Sequence, residues 1–190
     1  MFLPGLEPSQ HTTDLHDGEG DNWFTPPHIL GAVSFALGGI ELDPCCHPGA
    51  PSHKMTERTY CLSDGDDGLQ MPWDARSIFV NPPYSDVGPW LERCRIANNE
   101  GAGVIALVPT RPETKAWRKS VFEAEHGAFI VQQTGRIKFV GSDGKAHGSA
   151  MVTTCFIAWC EGIALELQTG LADAGIQSAV LKVLTTKATR

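Results

Sequence analysis

The chain has 190 residues, 42% of them hydrophobic and 19% charged, the length and composition of one folded domain with a real core. Its net charge of −7 argues against coating nucleic acid by charge alone. No stretch approaches the roughly 18 consecutive apolar residues that span a bilayer. Met1 to Asp21 is polar and acidic, with neither a basic n-region nor an apolar h-region, so a cytoplasmic protein is expected rather than a secreted or membrane-bound one. The charge is unevenly spread: residues 1–74 carry a balance of −10, residues 75–160 one of +3, and residues 161–190 are neutral. That asymmetry suits a binder with one local contact face for an anion, or an ordinary uneven surface.

Residues 1–21 lack periodicity and read as a flexible arm. In Trp23-Phe24-Thr25-Pro26-Pro27, Thr25 is a good N-cap and Pro26 suits the first helical position. Ile29, Leu30, Val33 and Leu37 fall at helical spacing before Gly38-Gly39, predicting a helix over 26–37. Ile40 to Leu42 make a short strand ending at Asp43-Pro44. Residues 45–75 are loop-rich, with one short strand near Arg58 to Leu62.

Ser77 to Val80 reads as a buried strand stopped by Asn81-Pro82-Pro83, followed by a helix from about Asp86 to Asn98. Val104 to Val108 is a continuous apolar run of the kind that forms a parallel strand covered on both faces. A helix near Glu113 to Ala124 and a strand at Ala128–Val131 come next. Arg136 to Ser149 has the look of a hairpin turning at Ser142-Asp143-Gly144. Thr153 to Trp159 is another strand, and apolar positions from Ile163 to Leu184 suit one or two amphipathic helices. Strands alternating with helices predict an α/β sheet, mostly parallel, with an antiparallel edge. The organisation read from this is an arm over 1–21, a principal domain over 22–160 and a helical extension over 161–190.

Six cysteines (Cys45, Cys46, Cys61, Cys94, Cys155 and Cys160) are read as free thiols. A chain of this size needs no disulfide staples. Cys45-Cys46-His47 with His53 and Cys61 lacks zinc-type Cys-x-x-Cys spacing, so no metal is expected.

In such sheets ligands bind beyond the carboxyl ends of the strands, where strand order reverses. Two strands end there in unusual chemistry, at Asp43-Pro44 and at Asn81-Pro82-Pro83-Tyr84. Asn81 presents a side-chain carbonyl, and Pro82 adds a backbone carbonyl without an N–H of its own. Two acceptors held together can grip an exocyclic NH₂ through both hydrogens. In adenine the nitrogen lone pair is delocalised into the ring, and such a grip favours a pyramidal, more nucleophilic nitrogen. Tyr84 offers a face for base stacking, worth ~1–3 kcal/mol, and Pro83 stiffens the segment. The bland alternative is a strand-ending Asn-Pro turn with Tyr84 in the core.

At this point the sequence resembles the phage-type (Dam-like) DNA N6-adenine methyltransferases, over roughly Asn22 to Trp159. The likeness rests on Trp23-Phe24-Thr25-Pro26, Leu42-Asp43-Pro44-Cys45, Asp67-Gly68-Leu69 with Trp73, and Phe79-Val80-Asn81-Pro82-Pro83-Tyr84. It continues through Val108-Pro109-Thr110, Gly135-Arg136-Ile137-Lys138-Phe139 and Gly148-Ser149-Ala150. The resemblance implies a Rossmann-like, S-adenosylmethionine-dependent fold acting on double-stranded DNA, in the cytoplasm of a bacterial host if phage-encoded. It makes Asn81, Pro82, Pro83 and Tyr84 the catalytic segment. It assigns cofactor contacts to Trp23, Thr25 and Pro26, to Asp43, Pro44 and Cys45, and to Asp67, with Asp64 and Asp66 as competitors. Asp43 would face the cofactor's amino group. One departure stands out: many methyltransferases place a glycine-rich turn after this acid, whereas here only the late Gly49 follows.

DNA contacts are expected from residues 111–145, which hold seven bases and four acids. Arg111, Lys115 and Arg118 share one side if helical, near Trp117 and Lys119. Arg136 and Lys138 alternate, sharing a face of the expected hairpin. Rival readings are amino methylation of cytosine N4, methylation of a protein glutamine amide, and a DNA-binding relative without turnover. Cytosine C5 chemistry through Cys45 lacks a visible activated nucleophile. The sequence leaves the recognition site and the oligomeric state open.

Overall fold

The computed structural model describes residues 24–141, Lys145 and residues 152–184. The arm over 1–21, Trp23, the 142–144 turn and Gly148-Ser149-Ala150 lie outside the described residues.

Helix α1 (Pro27–Leu37) starts with Pro27 at its first position and Pro26 as the N-cap residue. That is one residue later than the sequence suggests, and Thr25 does not cap it. Its C-terminus closes in a left-handed Gly38 (φ 69°), with the Gly39 N–H reaching back to the Ser34 carbonyl at 2.8 Å. Strand β1 (Ile40–Cys46) does not stop at Asp43-Pro44 but runs on through Cys46. It pairs in parallel with β2 (Thr56–Cys61), and the register slips between Asp43 and Cys46. One extra residue there makes a bulge, which tolerates the missing Pro44 N–H. The short helix α2 (Ser52–Met55) joins the two strands.

Strand β3 (Ser77–Val80) lies on the other side of β1 and is followed by helix α3 (Val87–Asn99) and strand β4 (Gly103–Pro109). The helix expected near Glu113–Ala124 is shorter. It starts at α4 (Lys115–Trp117), capped by the Thr114 hydroxyl, and continues as a π-turn over Arg118–Phe122. Strands β5 (Phe129–Gln133) and β6 (Thr154–Ala158) follow, then helix α5 (Glu161–Asp173) and strand β7 (Ser178–Lys182).

The seven strands lie in the order β2-β1-β3-β4-β6-β5-β7. The first four are parallel, and β6, β5 and β7 each pair antiparallel to their neighbours. Alternation along the strands gives two cores. On one face Ile29, Leu30 and Val33 of α1 and Leu167 and Leu171 of α5 meet Phe79, Ile105, Leu107 and Phe156. On the other, Leu91 and Cys94 of α3 and Trp117 meet Ile78, Val80, Val104 and Ala106. Sequence order runs from β1 outward to β2, then crosses to β3 and on to β4. The carboxyl ends of β1 and β3 therefore flank the switch point.

One expectation is corrected. The segment after α5 is not a second helix: Gly175 (φ 78°) ends the helical turn, and Ser178–Lys182 pair with the open side of β5. The turn and most of the second arm of the hairpin expected over Arg136–Ser149 lie outside the described residues. Among the described residues Val140 bridges Phe24, the two exchanging N–H···O bonds of 3.0 Å, and the Gly141 N–H bonds the Lys145 carbonyl. Among the described residues no helix is long and apolar enough to cross a membrane.

Candidate active site

Asn81 leaves β3 directly after the fully buried Phe79-Val80, so the sheet fixes its backbone. Its Oδ1 accepts a hydrogen bond from the Tyr84 hydroxyl at 3.3 Å. Pro82 is buried and Pro83 exposed, and the Asp86 N–H closes the turn onto the Pro83 carbonyl at 3.3 Å. The Tyr84 ring packs against the α1–α5 core and meets Phe139 edge-on, with centroids 6.1 Å apart. Burial pushes the Tyr84 hydroxyl pKa well up, so it stays a neutral donor.

On the neighbouring strand Asp43 is 3% exposed. Burial raises its pKa to about 6, against the pull of the Ser52 hydroxyl and the Cys45 N–H, the latter 3.2 Å from Oδ1. Among the described residues Asp43 has no cationic partner. The Cys45 thiol lies against the Asn81 backbone N–H, which ties the tips of β1 and β3 together, yet burial dominates and holds this thiol far above its ordinary pKa. A neutral, buried thiol is a poor nucleophile. All six cysteines are free.

Thr25 and Pro26 are both buried. Phe24, just before them, packs with Cys46, Ala50 and Cys61 at the tips of β1 and β2, and its ring lies 5.0 Å from His47. The Thr25 hydroxyl is buried and has no hydrogen-bond partner among the described residues. Phe24 to Pro26 therefore form a strap beside the β1 tip. Asp67 is exposed and caps its own turn: Oδ1 accepts the Leu69 N–H at 3.0 Å, and its carbonyl accepts Gln70 and Met71 at 2.9 Å. Asp64 accepts a hydrogen bond from the neighbouring Ser63 hydroxyl at 3.4 Å, and the Asp66 N–H bonds the Cys61 carbonyl.

A family model described as DNA N-6-adenine-methyltransferase (Dam) matches residues 12–162. The chain belongs to that family. No curated protein matches the chain. Membership in the Dam family makes adenine N6 in DNA the substrate position and gives no support to cytosine N4, glutamine-amide or turnover-free readings.

The basic residues of this Dam-family protein are only partly gathered as expected. Arg111 precedes the Thr114 cap, so it shares no helical face with Lys115 and Arg118. Arg118 pairs loosely with Glu123 at 3.6 Å, and Lys119 pairs with Glu92 at 3.0 Å. Arg136 and Lys138 are exposed on an extended segment beside the buried Ile137 and Phe139, which does set them on one side.

Sequence reasoning gave no role to three residues that the structure brings into these contacts: Phe139 and Gly68, which stand within quoted motifs, and Glu92. Phe139 stands beside Tyr84, and its signal was its alternation with Lys138. Glu92 anchors Lys119, Arg95 and the Ser120 hydroxyl beneath the basic segment. Gly68 packs on Pro44, and no local pattern announces that contact.

Proposed function

We propose that this protein transfers a methyl group from S-adenosylmethionine to the N6 amine of an adenine flipped out of double-stranded DNA. The observation that carries the reading is Asn81-Pro82-Pro83-Tyr84 at the tip of β3, at the switch point of the sheet, in a chain of the Dam family. Four parallel strands with helices on both faces suit a Rossmann-like methyltransferase arrangement.

The residues present fit the cofactor. Among the described residues Asp43 is a buried carboxyl without a cation, suited to an ammonium group, and the Thr25 hydroxyl is a buried polar group without a partner. Asp43 and the Thr25-Pro26 strap would hold the cofactor's amino-acid end, beside Pro44 and Cys45. Trp23 and Asp67 are assigned to the same ligand by the resemblance. When bound, S-adenosylmethionine supplies an electrophilic methyl carbon on a sulfonium.

Asn81 Oδ1 and the Pro82 carbonyl accept the two amine hydrogens and hold the nitrogen pyramidal, its lone pair aimed at that carbon. Preorganised dipoles and positioning supply the catalysis. Tyr84 carries the base face, and Pro83 fixes the register of the acceptors. Neither acceptor is a strong base, so the proton shed by the amine passes to solvent. A base paired in the duplex cannot reach this tip and must leave the stack. Arg111, Lys115, Arg118, Arg136 and Lys138 are proposed to contact the DNA backbone.

Tritiated methyl transfer to unmethylated DNA, followed by nucleoside digestion, tests the reading. Label is expected in N6-methyladenine and is expected to vanish with Asn81→Ala. Label in another nucleoside, or transfer that survives the substitution, overturns it.

A further inference from the structure

The tip of β1 is held from outside the strand. A Cβ on Gly68 would fall on the Pro44 carbonyl oxygen and lie 2.8 Å from the Pro44 carbonyl carbon and 3.2 Å from the Trp90 ring. Gly68 has no left-handed φ in this structure, so space rather than backbone freedom demands glycine here. Its own carbonyl accepts the Trp73 indole N–H at 2.7 Å. Trp73 is in turn buried, 6.3 Å from the Trp90 ring, with the Arg93 guanidinium 5.3 Å from its own ring. The loop cannot lift from Pro44 without breaking that buried bond.

The Pro44 carbonyl and the Cys45 N–H belong to one rigid peptide plane. Gly68 sits against the oxygen end, and the N–H end donates to Asp43 Oδ1 at 3.2 Å. We infer that Gly68, locked by Trp73, is a positioning residue: it sets the tilt of the Pro44–Cys45 peptide and through it the aim of the Asp43 carboxylate at the cofactor's amino group. This also accounts for the missing glycine-rich turn after Asp43. The glycine that permits a close backbone approach at this tip is contributed by a different loop.

The inference rests on the proposed cofactor reading, so the test separates the two. Binding of S-adenosylhomocysteine is measured by calorimetry between pH 5 and 8 for the full chain and for Gly68→Ala, Trp73→Phe and Gly170→Ala. Gly170 is a packing control, because a Cβ there meets Ala32 at 3.0–3.2 Å where α5 packs on α1, its nearest atoms all belonging to Ala32 and none to β1. Gly68→Ala is expected to weaken binding about tenfold or more at neutral pH and to move the pH midpoint of binding upward, since Asp43 loses a donor. Trp73→Phe, which keeps an aromatic ring but loses the N–H, is expected to weaken it about threefold. Gly170→Ala lowers the melting temperature while its affinity stays within about twofold. Wild-type affinity in Gly68→Ala, or equal losses in Gly68→Ala and Gly170→Ala, overturns the positioning role. If Gly68→Ala does not fold, wild-type affinity and an unmoved midpoint in Trp73→Phe overturn it. Failure of the unaltered protein to bind overturns the cofactor reading itself.

Discussion

The hydroxyl of Tyr84 donates to Oδ1 of Asn81 across 3.3 Å, so the acceptor proposed to hold the substrate amine already has a donor within the chain. Gripping an amine exchanges one hydrogen bond for another, a near-balanced trade. The ring, not the hydroxyl, is then the part of Tyr84 that matters to the base. Tyr84→Phe is expected to keep kcat/KM for DNA within about threefold of the unaltered protein. Tyr84→Ala is expected to lower it ~5–150-fold, the equivalent of 1–3 kcal/mol of stacking. Affinity for S-adenosylhomocysteine, measured alongside, is expected to change less than about twofold. An equal loss of cofactor affinity in Tyr84→Ala would count against the stacking role.

Asp43 gives the pH dependence a definite sign. Its pKa is raised from 3.8 to about 6 in the folded protein, chiefly by burial, so the folded state binds the proton more tightly than the unfolded chain. This contribution to stability is therefore full below pH ~4 and is lost as pH rises through about 6, a swing of about 3 kcal/mol. Asp43→Asn is expected to flatten that slope in denaturant unfolding followed from pH 4.5 to 8. Cofactor affinity runs the opposite way, because an ammonium prefers the ionised carboxylate. It is expected to rise as pH climbs through 6 in the unaltered protein and to be low and pH-independent in the Asn variant. A slope unaffected by the substitution would place the titration on another group.

The parallel half of the fold was legible because its signals are local. Val104 to Val108 is an apolar run that only a doubly covered strand accommodates, and Gly38-Gly39 ends α1 through positive φ. The strand over Ser178–Lys182 was not, since its apolar residues suit either period and the deciding factor is the open side of β5. Thr25 illustrates the same limit at the site. Its side chain is a good N-cap, but a second proline after Pro26 moves the helix start by one residue and leaves the hydroxyl buried, with no partner among the described residues. Asn81 and Tyr84 stand out in the sequence because their chemistry sits in four consecutive residues. The Gly68–Pro44 contact joins segments more than twenty residues apart in sequence, and no periodicity reports such a contact.

Glu92 ties the basic segment to α3. The Arg95 guanidinium bonds its carboxylate first and the Lys119 ammonium next, holding its pKa down at about 2. A depressed acid contributes stability above its unfolded pKa, and the contribution is lost as pH falls toward 2. The site is partly solvated, so the screened value is about 1 kcal/mol. Glu92→Gln is expected to lower the melting temperature by ~2–4 °C at pH 7. That gap should narrow through pH 3 and close only toward pH 2. A gap that persists there would mean packing, not charge, is what the carboxylate contributes.

The basic side chains are separable by their surroundings. Lys115 and Lys138 are exposed, whereas Lys119 is paired with Glu92 at 3.0 Å and must surrender that pair to meet a phosphate. Each phosphate contact removed should reduce the slope of log affinity against log salt by about 1. Lys115→Ala and Lys138→Ala are therefore expected to weaken duplex binding in anisotropy titrations and to flatten its salt dependence by about that amount. Lys119→Ala is expected to change the slope by less than half as much, because Glu92 already neutralises the side chain. The order would reverse if DNA lay against α3 and the π-turn instead of the Arg136–Lys138 segment, and a larger effect at Lys119 than at Lys138 would establish that path.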